Sequence, residues 1–135
     1  MPPVRRFQDL VCYQLARELR QTVSGLIETE TLAADRELCE QLRRAARSAT
    51  GNIAEGFPCP SHAEFARFLD IAARSLREIE DRLLEAVERG LVSEPEAAPA
   101  MNLAKRTAVA TSRLIAYLRR TSSPARTPKN TDPDS

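Results

Sequence analysis

Apolar residues recur at spacings of three and four along almost the whole chain, and this period limits what the chain can fold into. Such patterns cover residues 7–27, 38–53, 65–87 and 101–118. No segment shows the sustained alternation, rich in β-branched residues, that is typical of a strand. The sequence therefore predicts an all-α protein.

Local signals predict where the helices begin and end. Ser61 and Ser93 each precede a Glu by three residues, which is the spacing of a capping box. Gly56 and Gly90 stand where the second and third patterns stop. We therefore predict four helices, at about residues 6–28, 35–56, 61–90 and 94–120.

Short connections between these helices indicate antiparallel neighbours, which is typical of an up-down-up-down four-helix bundle. The bundle is expected to cover residues 6–121, after a flexible N-terminus at 1–5. Residues 122–135 contain three prolines and a single apolar residue, so we expect them to form a disordered tail.

Composition limits the classes of function that the chain can have. A chain of 135 residues with a net charge of +1 is one domain whose bulk charge predicts neither a nucleic-acid binder nor an acidic surface. Cys12, Cys39 and Cys59 form an odd, scattered set, and the N-terminus resembles no signal peptide. We therefore expect a cytoplasmic protein with reduced thiols and no membrane association.

Residues that could support catalysis are few. His62 is the only histidine, and it follows Cys59 by three residues, but no third group is positioned to orient such a pair. A structural zinc needs about four ligands, and no C-x-x-C pair is present. We expect no enzyme activity and no catalytic, metal-binding or cofactor-binding residue.

A polar stripe marks the second predicted helix, with partners expected on the third. Spacings of four, four and three bring its members to one helical face beside the Ala and Leu seam. Buried polar groups need partners, so we predict an inter-helix polar clamp with an Arg44–Glu78 pair. The alternative is a ligand or nucleic-acid site at the same place. The clamp residues are Arg44, Ser48, Asn52, Glu55, Ser75 and Glu78.

The fourth predicted helix carries two apolar seams, more than one core needs. The first seam is Met101, Ala104, Ala108, Thr111, Ile115 and Leu118, and the second is Leu103, Ala110, Leu114 and Tyr117. A helix that is apolar on most sides is usually covered on more than one side. We expect the second seam to pack against another subunit, the alternative being that its residues edge the protein's own core.

Basic residues are concentrated at candidate phosphate-binding positions. In an up-down-up-down bundle the start of the first helix and the end of the fourth lie at one end, which brings four arginines together. These are Arg5, Arg6, Arg119 and Arg120, and the same helix adds Lys105, Arg106 and Arg113. Arg43 and Arg47, one turn apart, form a second candidate patch. The alternative is that these cations only make salt bridges or compensate helix dipoles.

The pattern at residues 41–56, Q-L-R-R-A-A-x-S-x-x-x-N-I-A-E-G, is followed at residues 64–78 by E-F-x-x-F-L-x-x-A-x-x-S-L-x-E. Together with Phe7-x-Asp9-Leu10 it resembles the bacterial four-helix bundle protein family associated with intervening sequences in 23S rRNA genes. The resemblance implies the antiparallel bundle and a ring-shaped homo-oligomer, typically a pentamer. Relatives include accessory variability proteins of diversity-generating retroelements, which bind nucleic acid and a reverse transcriptase.

These observations give two expectations about function. The first is a homo-oligomeric, RNA-associated accessory protein that binds phosphates through Arg-rich surface, with RNA and a nucleic-acid enzyme such as a reverse transcriptase as partners. The second is a protein-interaction scaffold with no nucleic-acid role. Basic residues that relatives often carry after N-I-A-E-G are replaced here by Phe57-Pro58-Cys59-Pro60, which weakens the case for nucleic-acid binding by that loop.

Overall fold

The computed structural model describes residues 4–121, and every regular element within this range is helical. Four long helices confirm the predicted all-α class. The elements are a 3₁₀ turn Phe7–Asp9, α1 Val11–Leu26, a one-turn α2 Glu30–Ala33, α3 Arg36–Gly56, α4 His62–Glu88 and α5 Glu94–Arg120. The predicted tail and the first three residues lie outside the described part of the chain.

Each long helix packs against two others, in the cyclic order α1, α3, α4, α5. Asp35, just before α3, contacts Arg89, just after α4, whereas Ser48 near the middle of α3 contacts Ser75 near the middle of α4. The ion pairs between α4 and α5 have the same reversed order. From α3 to α5, consecutive helices therefore run antiparallel, and the cyclic order leaves α3 diagonally across the bundle from α5.

The core consists of two apolar clusters with buried hydroxyl groups between them along α3 and α5. Leu19, Leu42 and Leu76 belong to the larger cluster, and Ile53 and Leu69 belong to the smaller one. The hydroxyls are those of Thr50, Thr107 and Thr111. Each of them donates a hydrogen bond to a carbonyl of the preceding turn, so none is buried without a partner.

The first helix begins later than its apolar pattern suggests. Leu10 is extended, with ψ of 133°, and separates the 3₁₀ turn from α1, which starts at Val11 rather than near Arg6. Leu10 is nevertheless buried, so the apolar period continues through a residue that is not helical. The connection before α3 also contains α2, a single turn that the sequence did not predict.

The predicted capping boxes differ in how completely they form. At α5 both reciprocal bonds of Ser93 and Glu96 are present. At α4 the Ser61 hydroxyl accepts from the Glu64 amide at 3.1 Å, while the Glu64 carboxylate contacts that hydroxyl at 3.4 Å. The helix end at α4 is therefore capped by one bond of the box, and α5 continues through Pro99 to Arg120.

The glycines at the ends of α3 and α4 have different roles. Gly90 adopts φ of 73° after α4, and the amides of Gly90 and Leu91 bond back to Val87 and Ala86, as in a Schellman motif. Gly56 has no positive φ, so it does not end α3 by adopting a left-handed conformation. A Cβ there would lie 2.7 Å from Phe68 Cβ, so the absent side chain lets α3 approach α4 closely.

We predict that Gly56→Ala destabilises the fold by about 1 to 3 kcal/mol, because the added methyl overpacks the α3–α4 contact. Gly51 is the matched control, since it lies in the same helix with no atom within 4 Å of an added Cβ. Gly51→Ala is expected to stabilise the protein by up to about 1 kcal/mol through helix propensity alone. Urea unfolding followed by circular dichroism measures both, and equal effects of the two changes would contradict the close approach.

Asp35 provides a pH-dependent contribution to stability. Its carboxylate accepts hydrogen bonds from the Leu38 amide at 3.0 Å and from Arg89 Nη2 at 2.6 Å. Both bonds hold the pKa of Asp35 below its ordinary value, and the bond from the Leu38 amide has the larger effect. A lowered folded-state pKa means stability that is present at neutral pH and is lost as pH falls through that pKa. Asp35→Asn keeps a capping acceptor but removes the charge.

We therefore expect Asp35→Asn to be less stable than the wild type at pH 7. The difference should shrink as pH falls below about 4, where free aspartate protonates. Urea midpoints across this range provide the measurement. A difference that stays constant with pH would show that the charge of Asp35 contributes nothing.

Candidate functional site

An arginine of α1 is held against α3 in the middle of the bundle. Arg20 Nη1 donates to Thr50 Oγ1 at 3.0 Å, and Thr50 Oγ1 lies 3.1 Å from the carbonyl oxygen of Arg47, to which it donates. Thr50 is 2% exposed, so the hydrogen bond from Arg20 is made to a residue of the core. The link positions the half-buried Arg20 within one helical turn of Arg47 across the α1–α3 boundary.

Four arginines share this side of the bundle, and we call them the α1–α3 arginine face: Arg17, Arg20, Arg43 and Arg47. Arg43 and Arg47 are spaced by four residues, and Arg17 and Arg20 by three, so each pair shares one face of its helix. Arg17 and Arg47 are exposed and form no ion pair within residues 4–121. Arg43 pairs with Glu40 at 2.9 Å, so the face keeps an excess of positive charge.

Sequence reasoning found Arg43 and Arg47 but missed Arg17 and Arg20. The spacing of three between Arg17 and Arg20 can be read from the sequence. Only the packing of α1 against α3 places these two residues on the same side of the bundle as Arg43 and Arg47. The contact between Arg20 and Thr50 joins residues 30 positions apart in the chain, and no local pattern records such a contact.

The arginines expected at one end of the bundle are largely engaged within the protein. Arg6 pairs with Asp9 at 3.2 Å, and Arg119 forms two hydrogen bonds with Asp70. Arg120 lies 5.8 Å from the centroid of the Tyr117 ring, within cation–π distance. Arg5 is exposed beside Arg6. Two carboxylates thus offset half of the charge predicted there.

The other basic candidates lie on α5. Lys105 pairs with Glu80 of α4 at 3.3 Å. Arg106 and Arg113 are exposed, and no carboxylate of the described chain pairs with them. They are spaced by seven residues with no further cation between them, which makes a sparse patch.

Three of the residues predicted for the polar clamp form one hydrogen-bonded group. Ser75 Oγ donates to Ser48 Oγ at 2.7 Å, joining α4 to α3. Asn52 Nδ2 donates to Ser48 Oγ at 3.1 Å and to the Ser48 carbonyl at 2.8 Å. Ser75 is 7% exposed, so this group satisfies polar atoms at the edge of the core.

The predicted Arg44–Glu78 pair does not form among the described residues, and Arg44 and Glu55 are exposed. Helix geometry explains the division, because residues four apart are rotated by about 40° around an α-helix. Ser48 and Asn52 turn progressively towards the core from Arg44. Glu55 lies within about 20° of Arg44 around the helix axis, so both side chains are exposed. The four residues therefore occupy a wide arc rather than one line.

The second apolar seam of α5 mostly packs within the protein. Leu103 is buried, and Ala110 and Leu114 are half-buried against core clusters that contain residues of α1. Tyr117, at 45%, is the most exposed of the four. The expectation that this seam faces another subunit is therefore wrong for Leu103, because α5 has two neighbours in the bundle and uses one seam for each.

Cys59 and His62 both make hydrogen bonds. Cys59 Sγ donates to the Glu55 carbonyl at 3.7 Å, and burial, with the charge of Glu64, raises the pKa of this thiol. His62 Nδ1 lies 3.0 Å from Thr121 Oγ1 and joins the start of α4 to the end of α5. Within residues 4–121 no group of three or more His, Cys, Asp or Glu side chains is arranged to hold a metal ion.

None of the helices described is both long and apolar enough to cross a bilayer. No curated protein matches the chain. Its fold is similar to the crystal structure of a protein of unknown function from the S23 ribosomal protein family of Bacteroides thetaiotaomicron. The two chains superpose with a TM-score of 0.68 and 20% identity, covering 81% of this chain and 99% of the other. At this identity the likeness concerns the fold.

The family resemblance inferred from the N-I-A-E-G region is confirmed. A sequence model described as 23S rRNA-intervening sequence protein matches residues 8–112, which is well over half of the chain. The match spans α1 to α4 and most of α5. The chain therefore belongs to the 23S rRNA-intervening sequence protein family.

Proposed function

We propose that this protein is a non-enzymatic, RNA-associated accessory protein whose α1–α3 arginine face binds phosphates. The observation that carries the proposal is the anchoring of Arg20 to Thr50 beside two exposed arginines, Arg17 and Arg47, that have no carboxylate partner in the described chain. Ion pairs occupy Arg6 and Arg119, two of the four cations expected at the end of the bundle, so the α1–α3 arginine face is the better candidate for phosphate.

Arginine suits this task because its planar guanidinium carries five N–H donors and binds phosphate oxygens in a bidentate manner. Arg20 uses one donor on Thr50 and keeps the others for a ligand. Because the hydrogen bond restricts its side chain, less conformational entropy is lost on binding. Arg17 and Arg47 would supply further phosphate contacts on either side.

The mode of binding follows from what surrounds these cations. Tyr13 is half-buried and packs edge-on against Phe7, with ring centroids 4.9 Å apart, so it is engaged within the protein. Base stacking on aromatic side chains is what distinguishes sequence-tolerant single-strand binders. The proposal is therefore recognition of the phosphate backbone and its shape, with little dependence on base sequence.

The names of similar proteins agree with this choice of ligand. The family description refers to an intervening sequence of 23S rRNA, and the Bacteroides protein is described as belonging to a ribosomal protein family. A homo-oligomer would repeat the face once per subunit and increase avidity through multivalency. Such an assembly could present RNA to a nucleic-acid enzyme such as a reverse transcriptase, and the pentameric state stays a prediction from the family resemblance.

The test is fluorescence anisotropy of a labelled structured RNA titrated with the full chain at several salt concentrations. Binding should weaken linearly in a log–log plot against salt. The double change Arg17→Ala/Arg47→Ala should lower the slope by about 2, one for each lost phosphate contact. Arg20 is left in place so that its contact with Thr50 is preserved.

The matched control is Arg74→Ala/Arg77→Ala on α4, which removes the same charge from exposed arginines on a face that also carries Asp70 and Asp81. Equal losses from both variants would show that only net charge matters and would contradict the proposed face. Loss of binding only in Arg119→Ala/Arg120→Ala would move the site to the end of the bundle. No binding at low salt would favour the protein-interaction scaffold.

A further inference from the structure

An exposed aromatic ring lies near the end of α5, between two cations on the same face of the helix. Tyr117 is 45% exposed. Arg113 precedes it by four residues and Arg120 follows it by three, so the three side chains share one face of α5. Both arginines are exposed, and neither pairs with a carboxylate within residues 4–121. We call these three residues, together with His62 of α4, the Tyr117 cluster.

His62 is held beside the tyrosine by hydrogen bonds. Its ring centroid lies 6.1 Å from that of Tyr117, and the two ring planes are tilted by 43°. The Thr121 hydroxyl donates its one hydrogen to the Tyr117 carbonyl at 2.8 Å, so its oxygen accepts from His62 Nδ1, 3.0 Å away. These two bonds join the start of α4 to the end of α5. Because they restrict the imidazole before any ligand binds, less side-chain entropy is lost on binding.

Arg120 lies over the tyrosine ring with almost enough space for another flat group between them. Its Cζ is 5.8 Å from the ring centroid, which is within cation–π distance. Stacked bases are about 3.4 Å apart, so a base between the ring and the guanidinium needs about 7 Å. Because Arg120 is exposed, its long side chain can move outwards by the remaining distance of about 1 Å.

The charges of the Tyr117 cluster match those of a nucleotide in a strand. Asp70 of α4 pairs with Arg119, so this carboxylate does not offset the cations of the cluster. Arg113 and Arg120 lie about 10 Å apart along the helix, one on each side of the ring. A base in a strand likewise lies between two phosphates. An apolar side chain of a peptide would leave both cations without a partner, so the charge pattern favours a nucleotide.

We propose that the Tyr117 cluster binds an unpaired nucleotide of single-stranded RNA, with its base stacked on the ring of Tyr117 and its phosphates beside Arg113 and Arg120. Stacking on an aromatic side chain accepts every base, because every base has a π-face. The site therefore agrees with RNA recognition that depends little on base sequence. The inference rests on the proposed association with RNA and adds the class of RNA that is recognised.

The Tyr117 cluster and the α1–α3 arginine face are separate sites. The contacts of Tyr117 with His62 and of Arg119 with Asp70 place the cluster at the boundary of α4 and α5. In the cyclic order of the helices this boundary lies opposite the boundary of α1 and α3. A paired stem offers phosphates to the arginine face but no free base to the cluster. The two sites can therefore be tested with different RNAs and different variants.

Tyrosine fluorescence tests the stacking directly. The chain contains two Tyr and no Trp, so Tyr13→Phe leaves Tyr117 as the only tyrosine. Titration of this variant with octauridylate at low salt should quench its emission by about half, because a stacked base contacts the ring. The matched control is Tyr117→Phe, in which Tyr13 alone emits and should be quenched far less. Circular dichroism checks that both variants keep their helices.

Fluorescence anisotropy of labelled octauridylate measures the affinity. Tyr117→Phe should keep the affinity because it keeps a ring, whereas Tyr117→Leu should weaken it by about fivefold or more. Arg113→Ala/Arg120→Ala should lower the salt slope by about 1.4, since each contact with a single strand contributes about 0.7. Arg17→Ala/Arg47→Ala should weaken binding of a blunt-ended RNA hairpin more than binding of octauridylate.

The stacking site and the arginine face would fail in different ways. A hairpin that binds while octauridylate leaves Tyr117 unquenched would overturn the stacking site alone. Tyr117→Leu that binds octauridylate as tightly as the wild type would overturn it too. Equal quenching by free UMP at the same nucleotide concentration would overturn the strand as the ligand. Octauridylate that quenches Tyr117 while the hairpin does not bind would overturn the arginine face instead.

Discussion

The contact between α3 and α4 is the constraint on which the rest of the bundle depends. Gly56 allows the two helices to approach at one end, Ser48 and Ser75 join them in the middle, and Asp35 contacts Arg89 at the other end. These contacts keep one antiparallel register along almost the whole length of both helices. Because α3 and α4 keep one register, they present one continuous surface to the other two helices. On that surface α1 packs beside α3 and α5 packs beside α4.

That arrangement separates two surfaces of different chemistry. Arg20 bridges α1 and α3 through a buried threonine, so basic side chains of two helices meet on one side. On the far side, α5 exposes Val109 between two unpaired cations, Arg106 and Arg113. A four-helix bundle can carry faces of different chemistry because each helix exposes only one side to solvent.

Much of the fold could be predicted because its signals are local. The apolar period and the serine caps identify α3, α4 and α5 to within about two residues at most ends, since caps and periodicity act within one or two turns. The start of α1 could not be placed, because Leu10 is buried in an extended conformation and looks helical by period alone. The family could be inferred because its residues cluster in one segment of α3 and α4.

The candidate site was predicted less completely, since its parts come from different helices. The sequence by itself determined which side chains are basic, which segments are helical and which seams are apolar, because composition and period belong to the chain. Only the tertiary structure decided that Arg20 of α1 bonds to Thr50 of α3, that Arg119 pairs with Asp70 and that Leu103 is buried by the protein itself. The reason is physical: pairing and burial are properties of two surfaces in contact, and a single helix carries only one of them.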